Sequence, residues 1–210
     1  MQHYVNLNMS RFFTVPFVAT ALIASLLLGG CPSTTTTPEP SKAKEQSNMQ
    51  PDSTVGWLYY SLDGDSVVPP TQAASTVWDI RMAYLKCCGQ TKQIDVFLNS
   101  GTAGIGTSKG AMVSSRFDNV TAVPVGLTLR DDDTSSTSRI VPVAVIGSDI
   151  MFVYDISTHT LHPSPDKCLV IRTAQGNTFK FQFTSIYKDA IPNPTVMSPL
   201  GFYQFRYQKL

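Results

Sequence analysis

Two of the three histidines in this 210-residue chain stand close together, in the stretch ISTHTLHPSPDK. His159 and His162 are three positions apart, and Pro163 and Pro165 follow them. Imidazole nitrogens are frequent metal ligands, so the pair is a candidate metal site. In a regular strand, residues three apart face opposite sides and cannot share a ligand, whereas at a hairpin tip the rings can converge or diverge. The competing interpretation is two polar residues in a turn.

Sulfur-bearing and aromatic side chains directly precede the histidines. Met151, Phe152 and Tyr154 lie in segment 149–156, whose composition predicts a strand beside the histidine turn. Such side chains offer an apolar wall to a flat hydrophobic ligand. A porphyrin needs that wall together with a nitrogen or thioether ligand for its iron. The region therefore predicts a binding site for a ligand of that shape.

The remaining polar motifs predict structure rather than chemistry. Segment 101–110 is rich in glycine, but its spacing fits neither the dinucleotide fingerprint nor the P-loop, so we interpret it as a tight loop. The three aspartates at 131–133 lack the alternating spacing of a calcium loop and predict a solvated loop. No nucleophile elbow is present, so we do not expect an enzyme.

The charge balance argues against a nucleic-acid partner. Sixteen Lys and Arg residues stand against fifteen Asp and Glu residues, a net charge of +1, and the sequence has no basic stripe. Proteins that bind nucleic acid usually carry a basic excess.

The N-terminal segment resembles a bacterial lipoprotein signal. Arg11 precedes an uncharged apolar run that ends in Leu-Gly-Gly and Cys31, so we predict a signal peptide over 1–30 and acylation, including palmitate, at Cys31. A transmembrane anchor is the alternative, because the run is long enough to span a bilayer. Translation could start at Met1 or at Met9.

The polar stretch after Cys31 predicts a tether. Residues 32–54 contain almost nothing apolar, so we expect residues 31–54 to form a lipidated cysteine and a disordered leash, and residues 55–210 to form one domain. The residue after Cys31 is Pro32 and not aspartate, which favours the outer membrane. We predict a lipid-anchored protein of the outer membrane or cell surface, with release as a soluble form as an alternative.

Three further cysteines leave their pairing open. Cys87 and Cys88 are adjacent, so in a strand at most one of them could pair with Cys168. Buried thiols are an equal alternative, and a zinc site is disfavoured by the missing gap between the neighbours.

Many short strands with regular turn signals predict an all-β fold. Phe179, Phe181 and Phe183 alternate with polar residues, as Tyr203, Phe205 and Tyr207 do later, so one face of each strand should be buried. We predict a sandwich of two mostly antiparallel sheets, with Trp78 and these rings in the core. The predicted strands cover residues 55–62, 76–86, 93–98, 141–147, 149–156, 167–173, 178–187 and 201–210, with long loops at 99–121 and 129–140.

From about Trp57 to the C-terminus the sequence resembles HmuY-like proteins. The motifs that carry the resemblance are collinear: Trp78-Asp79-Ile80, Asn99-Ser100-Gly101-Thr102, Gly104-Ile105-Gly106, Val170-Ile171-Arg172-Thr173, Gly176, Lys180, Tyr187 and the final aromatic strand. The resemblance implies an all-β, two-sheet fold and a lipid-anchored or shed protein. Its best-known members bind haem and supply it to a TonB-dependent outer-membrane transporter.

The resemblance also implies where the ligands should lie. Members hold iron between two histidines, or methionines in some relatives, on two projecting segments, and the second segment falls where His159 and His162 stand. The first should fall at 126–138, which contains neither residue type. Met112 or Met151 could substitute, both histidines could act together, the iron could be five-coordinate, or the ligand could differ.

We therefore predict a haem-binding lipoprotein for iron acquisition. His159 or His162 would be the axial ligand, Met151 or Met112 a second ligand, and Tyr154 and Phe152 porphyrin contacts. The alternative function is a lipid-anchored interaction or scaffold protein of the same fold that binds no haem.

Overall fold

The computed structural model describes residues 41–85, 94–135, 137–142 and 150–210, all of them within the compact unit Glu39–Leu210. These ranges contain short 3-10 helices at Pro70–Gln72, Phe117–Asn119 and Lys188–Ala190. None of the helices in the described ranges has the length and apolarity needed to span a membrane. The strands are β1 (Lys44–Met49), β2 (Trp57–Ser61), β3 (Ser66–Val68), β4 (Ile80–Ala83), β5 (Val96–Leu98), β6 (Lys109–Val113), β7 (Phe152–Asp155), β8 (Thr160–Pro163), β9 (Cys168–Arg172), β10 (Thr178–Tyr187) and β11 (Leu200–Lys209).

The strands form three antiparallel sheets. A five-stranded sheet has the order β1-β11-β10-β9-β6, a four-stranded sheet has the order β3-β2-β4-β5, and β7 and β8 form a separate hairpin. One apolar cluster combines residues of the two larger sheets with residues of the hairpin, so the core lies between them. The predicted all-β sandwich is confirmed.

Alternation along β10 and β11 explains how these strands fill the core. Phe179, Phe181 and Phe183 are buried, and the Phe181 ring stacks on Phe205 with centroids 4.9 Å apart. The opposite face of β10 is covered too, because the Lys180 ammonium donates to the Phe117 carbonyl at 3.0 Å. The five-stranded sheet is thus buried on both faces along its centre.

Several predicted strands are shorter in the structure than in the sequence interpretation, and others were not predicted. In its described part, segment 76–86 forms only β4. Trp78, just before β4, packs on Tyr59 and Val68, and the Asp79 carboxylate accepts a hydrogen bond from the Leu62 amide. Segment 99–121, predicted as a loop, contains β6, which pairs with β9 along its whole length. β3 lies in a stretch for which no strand was predicted, and β8 lies in the stretch predicted as the histidine turn. Most of the predicted strand 141–147 lies outside the described residues.

The folded region begins earlier than residue 54. β1 lies inside the predicted tether of residues 31–54 and pairs with β11 at the edge of the five-stranded sheet. The tether boundary was wrong here because β1 gains its place through backbone hydrogen bonds to β11 and not through apolar side chains. Residues 1–40, including the predicted signal peptide and Cys31, lie outside the described part of the chain.

Asp65 ties β1 to both larger sheets. Its carboxylate accepts hydrogen bonds from the Tyr60 hydroxyl at 2.7 Å and from the Tyr207 hydroxyl, and it pairs with the Lys44 ammonium at 3.0 Å. Burial raises the pKa of this carboxyl, but the two hydroxyls and the ammonium outweigh burial and lower the pKa to about 2.

Candidate functional site

The histidines lie on the β7–β8 hairpin. β7 and β8 pair from Phe152 opposite Pro163 to Asp155 opposite Thr160, so residues 156–159 form the tip. The Asp155 carboxylate accepts hydrogen bonds from the Ser157 amide at 2.8 Å and the Ser157 hydroxyl at 2.6 Å. These bonds lower the pKa of Asp155 to about 2 and fix the turn as an Asx-type turn.

The base of the hairpin is anchored on the core. The Phe152 ring lies 5.0 Å from that of Phe183, and Phe152 is fully buried. The Leu161 amide donates to the Tyr187 hydroxyl at 3.0 Å. Burial raises the pKa of Tyr187, so this hydroxyl stays neutral and serves as the acceptor. A fixed base therefore presents an exposed tip.

His159 stands at that tip with one ring nitrogen held and the other open. Its backbone is left-handed, with φ of 55°, and its side chain is exposed. Nδ1 lies 2.7 Å from the Tyr154 hydroxyl. None of the described residues hydrogen-bonds Nε2. A histidine that ligates a metal through one nitrogen characteristically donates the N–H of the other to a fixed acceptor, and the Tyr154 hydroxyl can accept that bond.

His162 points the other way. Its Nε2 lies 2.7 Å from the Thr160 hydroxyl, and Thr160 shares a face of the hairpin with Asp155. Tyr154 pairs with Leu161 and therefore faces the opposite side, together with His159. The two histidines thus lie on opposite faces of the hairpin, and this arrangement does not bring them onto one ligand.

The sulfur and aromatic residues predicted beside the site occupy different places. Met151 and Phe152 are fully buried in the main core, so the predicted ligand Met151 and the predicted porphyrin contact Phe152 do not face a surface site. Met112 is half-buried on β6 and packs against the same core. Tyr154 is half-buried, and its hydroxyl contacts His159.

One tip residue was missed by sequence reasoning. Ile156 is 62% exposed, next to the Asx turn that holds the tip. This branched aliphatic side chain adds apolar surface to the same hairpin tip that carries His159. The signal was available in the sequence, because Ile156 follows Asp155 at the end of a strand pattern, where a polar turn residue is usual.

The segment expected to supply a first ligand instead has a structural role. Asp132 is 2% exposed and accepts hydrogen bonds from the Leu98 amide at 2.8 Å and the Ile140 amide at 2.8 Å. The prediction of a solvated loop is therefore wrong for Asp132, because its carboxylate is the acceptor for buried backbone donors. Asp131, by contrast, is exposed.

The conspicuous sequence motifs around residues 78–106 organise the same region. Asn99 is fully buried, donating to the Trp78 carbonyl at 2.8 Å and accepting from the Gly106 amide at 2.9 Å. A Cβ at Gly106 would lie 2.7 Å from the Asn99 carbonyl oxygen, so close approach requires glycine there. Asp79 accepts from the Leu62 amide at 2.9 Å, and burial raises its pKa.

The cysteines offer no ligand cluster among the described residues. Cys168 is buried without a disulfide to any described residue, and burial raises the pKa of its thiol to about 11. Cys87 and Cys88 lie outside the described part of the chain, so their pairing stays a prediction. Within the described ranges, no group of three or more His, Cys, Asp or Glu side chains could hold a metal ion.

Three solved structures are similar to this chain. An apo HmuY analogue from Tannerella forsythia shares 14% identity and a TM-score of 0.46, with 80% of this chain and 95% of that chain covered. A candidate HmuY-like haem-binding protein from Bacteroides vulgatus shares 16% identity and a TM-score of 0.44, covering 80% and 91%. A candidate lipoprotein from Bacteroides fragilis shares 14% identity and a TM-score of 0.46, covering 82% and 90%.

No curated protein matches the chain. The family model described as HmuY protein matches residues 53–197, more than half of the sequence, which include the β7–β8 hairpin and the Asn99 region. The chain belongs to the HmuY family.

Proposed function

We propose that this protein binds haem at the tip of the β7–β8 hairpin, with His159 as the axial ligand. The observation that carries the proposal is the 2.7 Å contact between the Tyr154 hydroxyl and His159 Nδ1, which leaves Nε2 of an exposed imidazole available. Membership of the HmuY family supports haem as the ligand class. The protein is a binding protein in this proposal and not an enzyme.

His159 is a better ligand than His162 for two reasons. His159 is exposed and binding through its Nε2 breaks no hydrogen bond to a described residue, whereas His162 is half-buried and binding through its Nε2 would break the bond to the Thr160 hydroxyl. A hydrogen bond from Nδ1 to Tyr154 also raises the basicity of Nε2, which strengthens a metal bond.

The apolar contacts come from the same tip. Ile156 is exposed beside the turn, and the half-buried Tyr154 ring lies against His159 with centroids 6.2 Å apart. Together they provide an apolar and aromatic edge for a macrocycle whose iron binds the imidazole. Haem is the transported ligand in this proposal, and His159 Nε2 would coordinate its iron.

A single protein ligand follows from the surroundings. Met151 lies in the core, and His162 lies on the opposite face of the hairpin. We therefore propose a site with one histidine ligand, rather than the paired arrangement that the resemblance suggested. Met112, half-buried against the core, would have to leave its packing to act as a second ligand.

The cellular role we propose is haem capture at the outer membrane by a lipid-anchored protein, with transfer to a TonB-dependent transporter. An axial bond from one exposed side chain suits transfer, because a site at a hairpin tip can release its cargo without opening a core. Acylation of Cys31 would supply the anchor.

The test is a haemin titration of residues 32–210, followed by absorption spectroscopy. This segment includes the whole compact unit Glu39–Leu210. We expect a saturable Soret shift with the spectrum of a single-histidine, high-spin ferric complex, lost in His159→Ala and retained in His162→Ala. Tyr154→Phe should weaken binding by roughly 10-fold or more, because the hydrogen bond that orients the ring is lost.

Two results would contradict this proposal. If His162→Ala abolishes the shift while His159→Ala retains it, the axial ligand is assigned to the wrong face of the hairpin. If the parent and both variants show only the spectrum of free haemin, the protein does not bind haem and the scaffold function becomes the better explanation.

A further inference from the structure

The outer face of the four-stranded sheet carries a second cluster of binding-type residues. In the β2–β4–β5 register, Arg81 lies opposite Tyr59 on one side and opposite Phe97 on the other. Trp57 is two residues from Tyr59 on the same strand and therefore shares this face. The inner face of the same strands holds core residues such as Met82. We name Trp57, Arg81 and Phe97 the arginine face.

Aromatic rings hold the Arg81 guanidinium in place. Its central carbon lies 4.3 Å from the centroid of Trp57 and 5.3 Å from that of Phe97. The Trp78 ring is also near, at 5.7 Å. Stacking of this kind fixes the plane of the guanidinium while leaving its N–H edge without a bonding partner.

A second arginine, Arg139, packs on the same phenylalanine and has the carboxylate partner that Arg81 lacks among the described residues. The Arg139 guanidinium lies 4.5 Å from the Phe97 centroid, is almost fully buried, and donates to the Asp95 carboxylate at 2.7 Å. Arg81 is half-buried, forms no ion pair with any described carboxylate and donates no hydrogen bond to a described residue. Its Nε is buried without an acceptor among the described residues.

These features favour a carboxylate on a partner. A planar guanidinium binds a carboxylate through two parallel hydrogen bonds, and the bond is strong where water is already partly excluded. Trp, Tyr and Arg are the residues that dominate binding energy at protein interfaces.

We propose that the arginine face is a docking site for a protein partner that presents an aspartate or glutamate side chain next to an apolar one. The charge of Arg81 selects the carboxylate, and the Trp57 ring provides the apolar contact. A nucleic acid is a poor occupant, because the chain has a net charge of only +1 and phosphate binding needs several cations together. The proposal does not depend on haem binding.

The experiment uses the two tryptophans of the chain as paired probes. The full chain in mild detergent, with 15N-labelled tryptophan, gives one indole N–H signal at the arginine face and one from buried Trp78, whose indole donates to the Ala73 carbonyl at 2.9 Å. Trp57→Phe assigns the signals. The probe is an acetylated hexapeptide of alternating glutamate and leucine, and its control replaces each glutamate by glutamine.

The expected result is a saturable shift of the Trp57 signal with the glutamate peptide, a smaller shift of the Trp78 signal, whose ring lies farther from Arg81, and little effect of the glutamine peptide. Arg81→Gln should weaken binding by about 10-fold or more, and higher salt should weaken binding to the parent. Arg172→Gln removes an exposed arginine from the five-stranded sheet and is the matched control, which should bind like the parent.

Other outcomes overturn the proposal. A Trp57 signal that does not respond, or that responds equally to both peptides, excludes a carboxylate-selective site. A Trp57 shift on dilution of the protein alone assigns the face to a second copy of the chain. If Arg81→Gln disturbs the Trp78 signal, Arg81→Lys replaces it, and binding as strong as in the parent would exclude the planar two-bond contact.

Discussion

Two polar loop regions of this molecule have similar compositions and opposite designs. The region around Asn99 and Asp132 turns its polar side chains inward, where they bond to buried amides and carbonyls. The tip of the β7–β8 hairpin turns His159 outward, and the described residues bond only one of its ring nitrogens. A polar loop whose side chains all bond to its own backbone has no polar group left to bind a ligand. A loop that is held in place but keeps one polar atom unbonded can bind a ligand.

The inward and outward polar residues should also differ in what their substitution changes, the stability of the fold or the binding of a ligand. Removal of an inward polar group leaves buried donors without acceptors, which lowers the free energy of unfolding. Removal of an outward group at the tip changes what the protein can bind and leaves the fold intact. Substitutions in the two regions should therefore give opposite profiles of stability and affinity.

The largest effect is expected for Asp132→Ala. This change leaves the buried Leu98 and Ile140 amides without their acceptor and should lower the free energy of unfolding by about 3 kcal/mol or more. Urea denaturation followed by circular dichroism measures the change. Asp131→Asn is the control, because its ion pair with Lys109 is exposed and should contribute less than about 1 kcal/mol. Equal losses for both variants would remove the distinction between the two acids.

Gly106→Ala should come next. The new Cβ would meet the Asn99 carbonyl oxygen at 2.7 Å, and the packed loop should lose about 2 kcal/mol as it shifts. Gly126→Ala meets nothing within 4 Å and strains only a left-handed backbone with φ of 80°, so about 1 kcal/mol is expected. Thermal melting of the two variants side by side ranks them. A Gly126→Ala protein that melts lower than Gly106→Ala would contradict close packing at Asn99.

A smaller effect is expected at the base of the hairpin. Tyr187→Phe removes the acceptor of the Leu161 amide and should cost about 1 kcal/mol of stability. It should also weaken haemin binding, because the base that presents the tip becomes mobile. Tyr84→Phe, at an exposed ring, is the matched change and should leave both quantities unchanged. If Tyr187→Phe leaves the haemin affinity unchanged, the hydrogen bond at the base of the hairpin is not needed for binding at the tip.

The smallest effect is expected for the stability of the hairpin tip at acidic pH. Because the Ser157 hydroxyl and amide lower the pKa of Asp155 to about 2, their stabilisation of the turn is present above pH 4 and is lost as the pH falls towards 2. A carboxyl-carbon NMR titration should place the Asp155 midpoint near 2, and Ser157→Ala should raise it. A midpoint at the ordinary value of 3.8 would show that the turn is not held by this carboxylate.

Much of the fold could be predicted from alternation alone. Apolar and polar residues alternate in 179–183 and 203–207, and this pattern predicts the strands β10 and β11. A period of two with one apolar face is typical of a strand and fits few other structures. β1 could not be found in this way, since its sequence, KEQSNM, has no apolar face and it lies at a sheet edge. An edge strand formed by backbone pairing leaves almost no signature in side-chain chemistry.

The candidate site was predictable in part for a similar reason. His159 and Tyr154 were identified from residue types near a turn, and the structure brings them together. The burial of Met151 and the position of His162 on the face opposite His159 depend on the hairpin register. The sequence spacing of these residues does not fix the register unless the length of the turn is known. The role of Asp132 depends on contacts with residues 34 positions away, which no local pattern reveals.

The pairing of β1 with β11 sets how far the domain can travel from an anchor. If Cys31 is acylated, 12 residues lie between it and the first strand, which begins at Lys44, a reach of about 45 Å when fully extended. A leash that ended at residue 54 would reach roughly 80 Å. A pull on such an anchor is also applied first to an edge strand, so mechanical load would separate β1 from β11 before it reaches the core and the β7–β8 hairpin.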